Sequence, residues 1–204
     1  MLDARDEASV QRWLRSSVRL YAEYISGVSR GSQLWTRAVS RASDARRVHM
    51  ASRTLDHSDA LCPPVVSRTK LAARLVAELE TALQSIRELI AEMERSCAAL
   101  CRVADAMEAW MMNRERPQAC AAYWEATSER PSVAEIAEQV LELHACLQTD
   151  VRLRTDATET LEDYQQIPAV ARAWIARPVD LVLPHDAAAW WSDVASLEYV
   201  RGDE

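Results

Sequence analysis

Between Val76 and Met111 the apolar residues recur in unbroken alternating steps of three and four: Val76, Leu79, Leu83, Ile86, Ile90, Met93, Cys97, Leu100, Ala104, Met107 and Met111. Such spacing places one continuous apolar seam along a helix, and a helix with that seam must bury it. A second register, Leu75, Ala82, Leu89, Ser96, Val103 and Trp110, repeats every seven residues beside the first. The stripe is therefore wider than a two-stranded seam needs, and it calls for at least two neighbouring helices. Pro63 and Pro64 precede this stretch and Pro117 follows it, with Ser67 placed to cap its start. The pattern predicts one long helix over 67–112, roughly 65 Å at ~1.5 Å per residue.

The remainder of the chain supplies the neighbours. Val10, Trp13, Leu14, Ser17, Val18, Tyr21, Tyr24, Ile25 and Val28 share a helical face, with Arg12, Arg15 and Arg19 opposite. Leu34, Trp35, Ala38, Val39, Ala42, Ala45 and Val48 resume the pattern after Gly27 and Gly31. Each glycine costs a helix about 1 kcal/mol relative to alanine, so a kink or break is expected between Gly27 and Ser32, with one continuous helix as the alternative. Residues 1–52 are thus the N-terminal helices, and Arg53 to Pro64 a connecting loop. After an aromatic linker holding Cys120, Tyr123 and Trp124, the string Pro131, Ser132, Val133, Ala134, Glu135 forms a capping box. It opens a helix over 132–164, through Val140, Leu143, Leu147 and Val151, that is expected to lie antiparallel to the long one. Prolines at 168, 178 and 184 then punctuate a segment over 165–204. It divides into a short helix with Val170, Trp174 and Ile175, an extended piece from Val179 to Leu183, and a last helix from Asp186 with Trp190, Trp191, Val194 and Leu197. The expectation is a single all-α domain over 1–204, an elongated antiparallel helical bundle built on one long heptad-patterned helix. Only three glycines in 204 residues agree with that class.

Charge and chemistry narrow the function. The net charge of -7 argues against direct nucleic-acid binding, which needs a basic surface. The balance is uneven: residues 1–53 hold ten arginines against five acids, the rest fourteen basic and twenty-six acidic residues. Five scattered cysteines in helical patterns read as small buried hydrophobes in a reducing, intracellular setting. No apolar run is long enough to span a membrane, and the charged first twenty residues do not form a secretory signal. There is no phosphate-cradling glycine string, no nucleophile elbow and no pair of histidines on one helical face. Cys97 and Cys101 share a face, but it is the apolar seam. Asp56, His57 and Ser58 are adjacent and read as a turn, not a triad. No catalytic residue, metal ligand or cofactor is expected, and the chain is read as a non-enzyme. Seven tryptophans are many for this length. Core anchoring is one account of them; an aromatic partner-binding patch at Trp35, Trp110, Trp124, Trp174, Ile175, Trp190 and Trp191 is the other.

The long heptad helix, the linker around Trp124, the Pro131–Ile136 helix opening and the Trp174, Ile175, Pro178, Val179 cluster together resemble the CINP family, the cyclin-dependent-kinase-interacting proteins. The Pro-Ser-Val-Ala-acid opening is also similar to that of AIRIM, as is Leu34-Trp35 near the start of a helix. The resemblance covers about residues 33–180. It implies a non-enzymatic adaptor in a hetero-oligomeric AAA ATPase assembly, linked to ribosome maturation, DNA replication and chromatin, in the nucleus or cytoplasm. The implied partners are an AAA ATPase and a second small helical subunit resembling AIRIM, with a tie to cell-cycle kinases. No Ser-Pro or Thr-Pro pair is present for proline-directed kinases to modify, and Arg12, Trp13 and Leu14, which resemble a cyclin-docking tripeptide, also fit a helix core. A wide seam that the chain cannot fully cover motivates the adaptor reading. The alternative is a self-associating coiled-coil structural protein.

Overall fold

The computed structural model of the chain describes residues 4–55, 65–112, 132–161 and 163–176. The architecture is an all-α antiparallel bundle. Helix α1 spans Ala4–Leu55, α2 Val65–Met111 and α3 Val133–Glu159; a 3-10 turn at Tyr164–Gln166 leads into the short α4, Ile167–Ile175. The linker around Trp124, the extended piece from Val179, and the last helix with Trp190 and Trp191 lie outside the described residues. The chain divides into two compact units.

The first unit is built from α1 up to Ser26, α2 from Glu92 onward and α3 up to Arg152. Its core is the predicted seam: Met93, Cys97, Leu100, Ala104 and Met107 of α2 are all buried, together with Leu14 of α1 and Ile136, Val140, Leu143 and Leu147 of α3. Helix α3 begins as its sequence dictates. Ser132 Oγ accepts from the Glu135 amide at 3.1 Å, and the Ser132 amide donates to Glu135 Oε2 at 2.7 Å. This reciprocal pair satisfies two of the amides that a helix start leaves open. Trp13 meets Trp110 edge to face with ring centroids 5.5 Å apart, the arrangement that ring quadrupoles favour. One polar cluster interrupts the apolar packing. Tyr24 and Asp150 are both fully buried, and the Tyr24 hydroxyl donates to Asp150 Oδ2 at 2.8 Å, 3.3 Å from the Leu147 carbonyl oxygen.

The second unit comprises α1 from Gly27, α2 up to Ala91, α3 from Leu153, the 3-10 turn and α4. Here α1 and α2 are joined by a 2.9 Å ion pair from Arg41 to Glu78, a residue that Arg74 also bonds. The centre is aromatic. Trp35 and Trp174 are buried with ring centroids 6.2 Å apart. Trp174 Nε1 donates to the Val28 carbonyl at 3.4 Å. The buried Arg154 guanidinium stacks 4.4 Å from the Trp174 ring centroid and donates to its carbonyl at 3.3 Å. Cation–π stacking and a charge-assisted bond from one side chain thus fix α4 by both its ring and its backbone.

Two sequence expectations change. The predicted kink between Gly27 and Ser32 is absent: α1 is one continuous helix. Gly31 is there for space, because a Cβ at that position would fall 2.7 Å from Trp174 Cε2 and 2.9 Å from its Nε1. The Ser32 hydroxyl donates to the Val28 carbonyl at 3.1 Å, so that residue too is accommodated within the turn. The seam of α2 is also better covered than its width suggested. Every residue of the first register from Leu79 to Met107 is buried by the chain itself, and only the flanking Val76 and Met111 are half-buried.

Candidate functional site

One concave apolar surface lies at one end of α2, within the second unit. Val39, Ala42 and Ala45 of α1, Ala72, Val76 and Leu79 of α2, and Tyr164 and Pro168 beyond α3 line an open groove of about 640 Å³. Each element presents this face for a local reason. On α1, Val39, Ala42, Arg46, His49 and Met50 follow one another at helical spacing on one side. On α2, Ala72, Val76 and Leu79 form the first turns of the heptad stripe. Pro168 stands in the first turn of α4, where its missing amide costs the helix nothing. Asp163 caps the preceding 3-10 turn by accepting from the Gln165 amide at 3.1 Å, which sets Tyr164 on the groove wall.

Met50, at 52 % exposure, and Leu71, at 47 %, are large apolar side chains left open at this end of the unit. Exposed apolar side chains are common singly; gathered at a concave apolar surface they mark an interaction site. Among the described lining residues, Arg46 and His49 are the ionisable side chains besides Tyr164. No carboxylate is among the described lining residues. Arg41 and Arg47, near Arg46 on the same helix, both reach Asp44, at 3.9 Å and 4.0 Å. Among the described residues, Arg46 has no such partner.

Tyr164 separates this groove from a polar hollow of about 710 Å³ that includes Glu80, Arg87, Glu88 and Asp163. Its hydroxyl donates to Glu80 Oε1 at 3.2 Å. Partial burial, then the hydrogen bond and the charge of Glu80, push the phenol above its ordinary range. In the first unit, Arg12, Arg15 and Arg19 edge a shallow hollow on α1. Leu14 of the tripeptide that resembles a cyclin-docking motif is buried and Trp13 packs on Trp110, so two of its three side chains serve the core.

The sequence-predicted partner residues fall into three groups. Trp35 and Trp174 meet, but in the interior, where each ring covers the other. Trp110 is half-buried against Trp13, and Ile175 is exposed at 52 %. Trp124, Trp190 and Trp191 lie outside the described residues. Among the described residues no cluster of histidine, cysteine or carboxylate side chains could hold a metal ion, and no helix is long and apolar enough to cross a membrane.

Sequence reasoning passed over Asp150 and Arg154, two of the three buried polar residues of α3. Asp150 lies seven residues after Leu143, and Arg154 seven after Leu147. Both therefore occupy heptad positions where apolar residues stand one turn pair earlier, a signal that could have marked them as interior. The groove itself left no such trace, since its walls come from three distant stretches of chain. No model of a known protein family and no curated protein sequence matches this chain.

Proposed function

We propose that the chain is a non-catalytic helical adaptor subunit of a multiprotein assembly, and that the apolar groove of its second unit is where a partner protein seats. The groove carries this reading. Covering apolar surface contributes about 25 cal/mol per Å², and a concave wall of Val39, Ala42, Val76 and Tyr164 beside exposed Met50 and Leu71 offers that surface without internal rearrangement. The short motifs shared with the CINP family extend the proposal: the assembly is built around an AAA ATPase, includes a second small helical subunit resembling AIRIM, and acts inside the cell in ribosome maturation or in replication and chromatin processes. That extension rests on the resemblance alone.

Burial of the α2 seam from Leu79 to Met107 counts against the self-associating coiled coil, because the surface it would use is already filled. Affinity purification of the full chain beside Val76→Glu tests the adaptor reading. The expected outcome is a co-purifying protein set that the variant loses while its helical content stays unchanged and its unfolding free energy falls by no more than about 1 kcal/mol. A monomer that retains no protein in either form would overturn it.

A further inference from the structure

We infer that the partner element seated in the groove is an amphipathic helix carrying a carboxylate that meets Arg46. The inference deepens the adaptor reading and rests on it. Arg46 is exposed on the same wall, so an occupant that covers Val39, Ala42 and Val76 meets its guanidinium at the edge of the groove. Removing a charge from water without supplying a partner is costly, whereas a bidentate carboxylate satisfies the planar donors of arginine directly. Among the described residues no carboxylate pairs with Arg46, and the nearest along its helix, Asp44, is engaged with Arg41 and Arg47. His49, on the same wall, adds a second group able to donate to an anion. The walls run along two helices, α1 and α2, and a helix laid between such rods buries residues at steps of three and four. Charge therefore selects among helices that the apolar wall alone would accept.

Two synthetic helical peptides with one shared Leu/Ala apolar face test this, one flanked by glutamates and the other by lysines, titrated into the full-length chain. Heteronuclear NMR of the chain reads the site and fluorescence anisotropy of labelled peptide reads the affinity. The glutamate peptide is expected to bind at least tenfold more tightly than the lysine peptide, with shifts centred on Val39, Ala42 and Val76. Arg46→Glu should reverse that order, and Arg46→Lys should keep the order with a smaller ratio. Equal affinities, shifts elsewhere on the chain, or an order unchanged in Arg46→Glu would overturn the inference. A concentration-dependent dimer that Ala42→Glu abolishes would assign the groove to a second copy and overturn it as well. If neither peptide binds while Val76→Glu still strips partners from the purified chain, the acidic-helix inference fails and the adaptor reading stands. If purification yields no partner, the adaptor reading fails whatever the peptides do.

Discussion

Ser17 of α1 lies in the apolar face of its helix, fully buried, and among the described residues its hydroxyl finds no hydrogen-bond partner. A buried, unsatisfied hydroxyl costs about 1–3 kcal/mol, and alanine is the better helix former. Ser17→Ala is therefore expected to raise stability by about 1 kcal/mol, read as a higher urea midpoint at unchanged slope; a lower midpoint would show that the hydroxyl has a role this packing does not reveal. Cys97 provides a pH-dependent counterpart. Burial, then the nearby charges of Asp150 and Glu94, push its thiol from 9.0 up to about 12. The unfolded chain thus releases this proton near pH 9 while the folded chain keeps it. Its contribution to stability is complete below pH 9 and is lost as pH rises toward 12, at up to ~1.4 kcal/mol per unit. Denaturation measured from pH 8 to 11 should fall less steeply in Cys97→Ala than in the parent chain. Parallel slopes would contradict the assignment. Both residues occupy positions that the helical pattern had already placed inside; what the pattern could not supply is the neighbour that makes one hydroxyl lonely and one thiol hard to ionise.

At the scale of elements, most of the helix plan was legible because it depends on local spacing. The seam placed α2 within two residues at its start, and the Ser132 and Glu135 pair fixed the first turn of α3. The kink expected at Gly27 to Ser32 was misjudged because helix propensity weighs a glycine against water, whereas Gly31 faces a tryptophan ring. Propensity is a weak prior that packing overrides. Gly31→Ala puts a methyl group into the place of Trp174 Cε2 and Nε1, and the strain of overpacking, about 1–3 kcal/mol, outweighs the ~1 kcal/mol of helix propensity gained. A net loss of melting temperature is expected. Trp174→Leu costs stability by itself, yet Gly31→Ala should be harmless or favourable in that background. Additive losses in the double-mutant cycle would refute steric contact as the cause. The same geometry explains why the tryptophans were hard to read: a Trp at helical spacing looks alike whether its ring meets solvent, a partner, or, as at Trp35, another ring of its own chain.

For the molecule as a whole, the groove was invisible in the sequence because it exists only once residues 39–50, 72–79 and 164–168 have been brought together. No single stretch of it exceeds the apolar content of an ordinary helix face. The surplus expected along α2 is covered by the chain from Leu79 to Met107, and the groove lies at the beginning of that helix. If this surface serves binding and contributes little to folding, substitutions there should separate the two. Ala42→Glu and Val76→Glu, at half-buried positions outside the core, are expected to lower the unfolding free energy by no more than about 1 kcal/mol while abolishing partner retention. A large loss of stability in both would instead make the groove part of the core.

The niche that Gly31 opens for Trp174 also sets a rule of descent. A lineage carrying this fold could enlarge the first residue only by shrinking the second, and natural selection would have to accept the two changes nearly together. Distant sequences that have lost every other visible likeness to this one could still be aligned by that exchange.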